Sequence, residues 1–168
     1  MPERNIAMKL LKLDSSFYED NPVIREALDF DVKTLSWRRS DNKRRGHGIV
    51  KITLSNLVFA IPVRSNIRHN DCFIIEIDHS ESDGRGMGLD YTKAMLIRDI
   101  THISDEPFLL KNKVSGRKLL GKEEHIEKQF SKYIDRYIAA VLKSDENILR
   151  RYRFATLINY HPELGLNR

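Results

Sequence analysis

Ile49-Val-Lys-Ile-Thr-Leu-Ser-Asn-Leu-Val-Phe-Ala-Ile-Pro-Val63 is the stretch on which the fold turns. Ile49, Val50, Ile52 and Leu54 read as a half-buried strand with Lys51 and Thr53 on the alternate face, because successive strand side chains point to opposite sides. Ser55-Asn56 is a two-residue turn, weaker than Asn-Gly but of the right length for a hairpin. Leu57 to Val63 returns as a second strand. Pro62 has no N–H to give a ladder and is expected to end that strand or put it at an edge.

Upstream, the apolar-rich run Ile6 to Leu13 predicts a strand. Asp14-Ser15-Ser16 carries helix-starting chemistry, and Phe17 to Leu28 contains a short helix near Asn21-Pro22. Asp29 to Leu35 is compatible with either element. From Trp37 to Arg45 the chain is polar and basic, with Arg38, Arg39, Lys43, Arg44 and Arg45 opposed only by Asp41. Gly46-His47-Gly48 then permits backbone conformations that other residues resist. Downstream, Cys72 to Ile77 predicts another strand, His79 to Gly88 a polar loop, and Ala94 to Ile103 one or two short strands.

The last third changes period. Ile126, Phe130, Tyr133, Ile134, Tyr137, Ile138, Val141 and Leu142 recur at three- and four-residue spacing, which predicts a long amphipathic helix from near Lys122. Glu123 and Glu124 suit its N-terminal dipole. A short helix follows Ser144-Asp145, and Phe154 to Tyr160 is expected to return to the sheet. No repeat or Pro/Gly/Ser linker divides the chain, so residues 1–168 read as one α+β domain, an antiparallel sheet with helices packed on it.

At 168 residues the chain can bury a real core, and its net charge of +5 makes an anionic partner plausible without naming one. Cys72 is the only cysteine, which excludes an internal disulfide and a cysteine-based zinc site and fits a reducing compartment. Met1-Pro-Glu-Arg-Asn-Ile lacks the features of a secretory signal, and no apolar run approaches the ~20 residues that span a bilayer. The expectation is a cytoplasmic protein.

Chemistry concentrates in Phe59-Ala-Ile-Pro-Val-Arg-Ser-Asn-Ile-Arg-His69. An apolar strand ends, and Arg64, Ser65, Asn66, Arg68 and His69 arrive almost together. Arginine grips phosphate oxygens through parallel donors, Ser and Asn add directional hydrogen bonds, and His exchanges a proton near neutral pH. RNA carries its own nucleophile, the 2′-hydroxyl, so such a set can cleave it without a metal or other cofactor. The nearest approach to a metal cluster, Asp78, His79, Glu81 and Asp83, reads more simply as solvated loop. Neither a G-x-x-x-x-G-K-S/T loop nor a G-x-G-x-x-G opening a helix is present, which argues against a nucleotide-binding regulator. Gly84-Arg-Gly-Met-Gly88 reads as a flexible loop.

Each residue also has an ordinary reading. Basic runs are usually solvated loops. Trp37 and Tyr18 either stack on bases or pack as core and rim aromatics. His69 alone is more often structural than catalytic, and His47 suits a turn. Lys93 either reaches the same anion or caps a sheet edge.

The strand and polar cluster from Gly48 to His69 resemble the hydrophobic-Pro-x-(Thr/Arg)-Ser segment of RNA-inhibited, type III toxin–antitoxin endoribonucleases. They are closest to the CptN and TenpN branches, whose better-known relatives are ToxN and AbiQ. Gly88-Leu-Asp-Tyr-Thr-Lys-Ala-Met-Leu-Ile97 resembles that family's second strand motif, and Arg153-Phe-Ala-Thr-Leu-Ile-Asn-Tyr-His-Pro-Glu-Leu-Gly165 its C-terminal segment. The resemblance implies a compact, strongly twisted, barrel-like antiparallel sheet with flanking helices, ToxN-like and related to MazF/Kid. It also implies cleavage of single-stranded RNA to a 2′,3′-cyclic phosphate, inhibition by a small structured RNA cut from a repeated precursor, a protein–RNA hetero-oligomer, and a role in phage defence or plasmid maintenance.

By position, the resemblance makes Arg64 and Ser65 the active-site pair, Lys93 the basic residue of the second motif, and Arg44 or Arg45 a basic position before the first strand. Where ToxN-like members carry Thr-Ser followed by lysines, this chain has Arg-Ser-Asn-Ile-Arg-His. The expected division of labour is therefore proton exchange at His69, phosphorane stabilisation by Arg64, and orientation of the phosphate by Ser65 and Asn66. Arg38, Arg39, Lys43, Arg44, Arg45, His47, Arg68 and Tyr91 are expected to hold flanking RNA. The competing expectation from the same residues is an RNA-binding module without catalysis.

Overall fold

The computed structural model describes residues 9–38, 48–77, 86–110 and 116–167. In chain order these form β1 (Leu11–Leu13), α1 (Ser15–Asp20), β2 (Phe30–Asp31), β3 (Ser36–Trp37), β4 (Gly48–Leu54), β5 (Leu57–Ile67), β6 (Cys72–Ile77), β7 (Gly86–Asp90), β8 (Met95–Ile97), β9 (Ile103–Pro107), α2 (Glu123–Lys143) and α3 (Glu146–Leu149). Short 3₁₀ turns, among them Tyr91–Lys93 and Thr156–Asn159, complete the described chain.

The β4–β5 hairpin forms as the alternation predicts, in register from Ile49↔Pro62 to Leu54↔Leu57. Ser55 and Asn56 both take positive φ, 47° and 70°, the backbone of a tight two-residue hairpin turn. β5 does not stop at Pro62. It runs on to Ile67, and Pro62 is buried within it. The reason lies on its second edge, where Val58 to Ala60 pair with β8 and Val63 onward pairs with β7. Ile61 and Pro62 fall between the two partners, so on that edge the missing N–H interrupts no ladder.

The main sheet runs β6-β7-β5-β4-β1-β9, antiparallel throughout, with β8 beside β5. The fold is α+β as expected, but the sheet is open. Among the described residues no pairing joins β6 to β9. β9 reads Ile-Ser-Asp-Glu-Pro, is exposed from Asp105 on, and presents charge and a proline instead of a free ladder.

Other segments depart from the sequence reading. The first helix is Ser15–Asp20, started by Asp14, whose carboxylate accepts from Ser16 N, and finished at Asn21 before Pro22. Asp29 to Leu35 falls within a small β2–β3 ribbon and its turn. Gly86 to Gly88 belong to β7, not to a loop. A Cβ on Gly88 would stand 2.0 Å from the Phe73 carbonyl oxygen, so only glycine lets β6 and β7 approach. Phe154 to Tyr160 does not rejoin the sheet. Its 3₁₀ turn docks by side chain instead, with the buried Thr156 hydroxyl donating to the Ala94 carbonyl.

α2 covers the sheet with Ile126, Phe130, Tyr133, Ile134, Tyr137 and Val141, the predicted stripe, while Leu142 faces outward. Phe130 meets Phe59 at 5.2 Å between ring centroids, so the helix seats on the middle of β5. Ser144 at φ 52° ends it, and Asp145 caps α3 by accepting from Ile148 N. No helix among the described residues is long and apolar enough to cross a membrane.

Candidate functional site

Past Pro62 the hairpin strand carries Arg64 beyond the core, and the chain turns back at His69 to Asp71 before β6. Across from them β7 ends at Asp90 and breaks into the Tyr91–Lys93 turn. The C-terminal turns bring Arg150, Arg151 and Arg153 to the same side. Between these elements lies an open cleft of about 770 Å³.

Asp90 is fully buried beneath it. One carboxylate oxygen accepts from Arg64 Nη1 at 2.9 Å, and the other from Thr92 N and Thr92 Oγ1 at 3.0 and 2.6 Å. His69 Nε2 stands 3.2 Å from the second oxygen, an electrostatic approach without well-aligned hydrogen-bond geometry. Burial pushes the Asp90 carboxyl up, but the imidazole, the Thr92 donors and the Arg64 guanidinium outweigh it and hold the pKa below the usual carboxylate value.

His69 Nδ1 accepts from Asp71 N at 3.1 Å, so in this arrangement Nε2 carries the ring proton and faces Asp90. Lys93 Nζ donates to the carbonyls of Glu26 and Phe154 at 2.7 and 2.9 Å and has a third proton left. Burial lowers the Lys93 pKa, Asp90 and Glu26 raise it in part, and Arg64 lowers it again. Five cationic side chains thus line one cleft: Arg64, Lys93, Arg150, Arg151 and Arg153. Asp71, paired with Arg151 at 3.6 Å, is the acidic residue lining it.

Of the residues expected from sequence, Arg64, His69 and Lys93 meet here. Ser65 and Asn66 do not line the cleft. They are exposed in a β-bulge, two residues against Met87 between the pairs Arg64↔Gly88 and Ile67↔Gly86. Asn66 sits there at φ 57°. Arg68 is exposed outside the lining. Tyr91 is a core residue, packed 5.6 Å from the Phe130 ring with its hydroxyl donating to Gln129.

Trp37 and Tyr18 pack together at 5.0 Å, with Trp37 Nε1 donating to Asn21 O, so their ordinary reading is the one observed. Arg38 is exposed beside β3, while Arg39, Lys43, Arg44, Arg45 and His47 lie outside the described residues, as do Asp78, His79, Glu81 and Asp83. No three His, Cys, Asp or Glu side chains gather as a metal site among the described residues.

Asp90, Thr92 and the C-terminal arginines were missed. The Asp90-x-Thr92 spacing is a local signal for Asp90, since a carboxylate two residues before a hydroxyl-bearing residue caps a turn. The arginines at 150, 151 and 153 gave a charge signal that reads equally as a solvated turn. Compared with family models, characterised proteins and solved structures, the chain matches none.

Proposed function

We propose that the chain is a metal-independent endoribonuclease of the RNA-inhibited toxin kind and that the cleft above Asp90 is its active site. The observation that carries this reading is the gathering of five cationic side chains around an imidazole backed by a buried carboxylate. A phosphodiester backbone supplies the charge such a cleft lacks.

In the proposed reaction the 2′-hydroxyl gives up its proton and its oxygen attacks the adjacent phosphorus. The P–O5′ bond breaks, and its electron pair leaves on the 5′-oxygen, which takes a proton. The products are a 2′,3′-cyclic phosphate and a 5′-hydroxyl. Arg64, fixed at one end by Asp90, and Lys93 with its third proton stabilise the phosphorane. His69 exchanges the proton, with Asp90 stabilising the imidazolium as it forms. The kinship with ToxN-like and MazF/Kid folds, the small RNA inhibitor and the cytoplasmic setting belong to the same proposal. The first two rest on the sequence resemblance, and the cytoplasmic setting on the lone cysteine, which suits a reducing compartment.

A second reading, RNA binding without cleavage, draws on one specific observation. Both His69 nitrogens face protein partners, so proton exchange requires the Asp71 or the Asp90 contact to open. Labelled single-stranded RNA incubated with the purified protein in EDTA separates the two. Discrete products ending in cyclic phosphate are expected, with Arg64→Ala and His69→Ala each slowing cleavage by about 100-fold or more. Binding without products would establish the second reading, and undiminished cleavage by both variants would move the active site elsewhere.

A further inference from the structure

A second cavity, of about 490 Å³, adjoins the cleft, and Arg153 lines both. Its floor is aromatic. Tyr137 lies 5.1 Å from Tyr152 and 5.6 Å from His161 between ring centroids. The polar atoms of this floor are engaged inside the protein. Tyr137 Oη is 2.5 Å from His161 Nε2, and the Tyr152 hydroxyl donates to Tyr133 O. The three rings are themselves buried, so an occupant meets only a small part of them, together with Leu149 and the exposed Ile158.

The rim is polar and rigidly built. Arg25 and Glu26 lie on a loop in which Glu26 holds φ 69°, a left-handed conformation that a glutamate adopts only under constraint. The constraint is visible. Asn159 clamps Arg25 from both sides, its Oδ1 accepting from Arg25 N and its Nδ2 donating to Arg25 O. Lys93 donates to Glu26 O from within the cleft. The loop is thus tied to the phosphate site on one side and to the C-terminal turn on the other.

An aromatic-floored hole beside a phosphate site suits an unstacked base, the part of single-stranded RNA that proteins read. The rim then selects among bases. Guanine offers N1–H and N2–H donors that match a carboxylate, and O6 and N7 acceptors that match an arginine. Adenine lacks the acceptor at position 6 and the donor at N1, and pyrimidines lack the second ring that would present both edges. We infer that this cavity is a base-reading pocket that seats a guanine next to the phosphate held in the cleft, with Glu26 on its Watson–Crick edge and Arg25 on O6 and N7. This deepens the nuclease proposal and rests on its RNA reading of the cleft.

Mononucleotides test it without any cleavage. Titrated into the isotope-labelled full chain, guanosine 5′-monophosphate should shift the Ile158 methyl signal at the cavity wall and bind at least about tenfold tighter than the adenosine, uridine or cytidine monophosphates. Glu26→Gln should bring that preference below about twofold. Ile158→Trp, which fills the mouth from an exposed position, should abolish the nucleotide shift while inorganic phosphate still perturbs the cleft around Arg64. Equal binding of all four nucleotides, or shifts confined to the Arg64 cleft, would overturn the pocket. RNA cleavage with no base preference would leave the nuclease proposal standing and remove this one. Guanosine monophosphate bound at Ile158 by a protein that cleaves no RNA would do the reverse.

Discussion

With no solvent exposure, Asp90 can stay ionised only because Arg64, both Thr92 donors and the nearby His69 surround it. Replacing it by Asn keeps the shape but leaves Arg64 without its counter-charge in a half-buried position. Since breaking a buried pair from one side is far costlier than exchanging both partners, Asp90→Asn should lower stability by about 3 kcal/mol in urea titration. The pH response follows from the same group. Its folded pKa is depressed below the ordinary 3.8, so between the two values the unfolded chain binds more protons. The Asp90 contribution is therefore complete above the ordinary carboxylate range and is lost as pH falls through the folded pKa. Melting temperatures of the Asn variant should fall less steeply than wild type below about pH 4, and parallel acid profiles would mean that the Asp90 pKa is not depressed in the folded protein. Arg64 and His69 were visible in the sequence because polar residues crowd the end of an apolar strand. Asp90 was not, because nothing in Leu-Asp-Tyr-Thr tells a capped turn from the counter-ion of a strand 26 positions away.

At the level of elements, alternation and period carried the reading. The β4–β5 hairpin and the apolar stripe of α2 are local patterns, and both stand where the sequence put them. The errors came where one strand changes partners or two backbones touch. Pro62 signals a strand end only if its edge needs a donor, and the exchange of β8 for β7 along β5 is a tertiary fact. Gly86 and Gly88 look like loop residues until Phe73 and Ile74 are seen lying against them. The expected cost of ignoring this is specific. In Gly88→Ala the new methyl meets the Phe73 carbonyl oxygen and the Ile74 backbone, neither of which can rotate away as a side chain would. Strand β6 must shift, and overpacking of this kind should cost about 3 kcal/mol. Amide exchange should accelerate across Phe73 to Ile75 while α2 keeps its protection; unchanged β6 protection would show that the strands tolerate a Cβ there. The same shift would displace Asp90, which pairs with Cys72 at the end of the same ladder, so RNA cleavage should fall together with stability.

Over the whole molecule, the question is where the positive charge collects. The sequence points to Arg38 through Arg45 as the RNA-holding surface, because those residues are neighbours in the chain. Arg64, Lys93 and the arginines at 150, 151 and 153 are spread over three segments, and only the packing of the C-terminal turns against β5 and the Tyr91–Lys93 turn puts them in one cleft. No periodicity announces such a gathering. If RNA occupies this cleft, its affinity must report the charges there through counterion release, at roughly 0.7 units of log–log salt slope per neutralised phosphate for single strands. Arg150 and Arg153 are exposed, so both can be truncated with little cost to folding. The Arg150→Ala/Arg153→Ala variant should bind single-stranded RNA more weakly regardless of sequence, with a salt slope shallower by about 1.4. Arg98→Ala supplies the control, since Arg98 pairs with Glu163 outside the cleft and its loss should leave the slope unchanged. A slope untouched by the double change would mean that RNA runs over another surface, in which case the cleft loses the backbone contacts that the cleavage proposal requires.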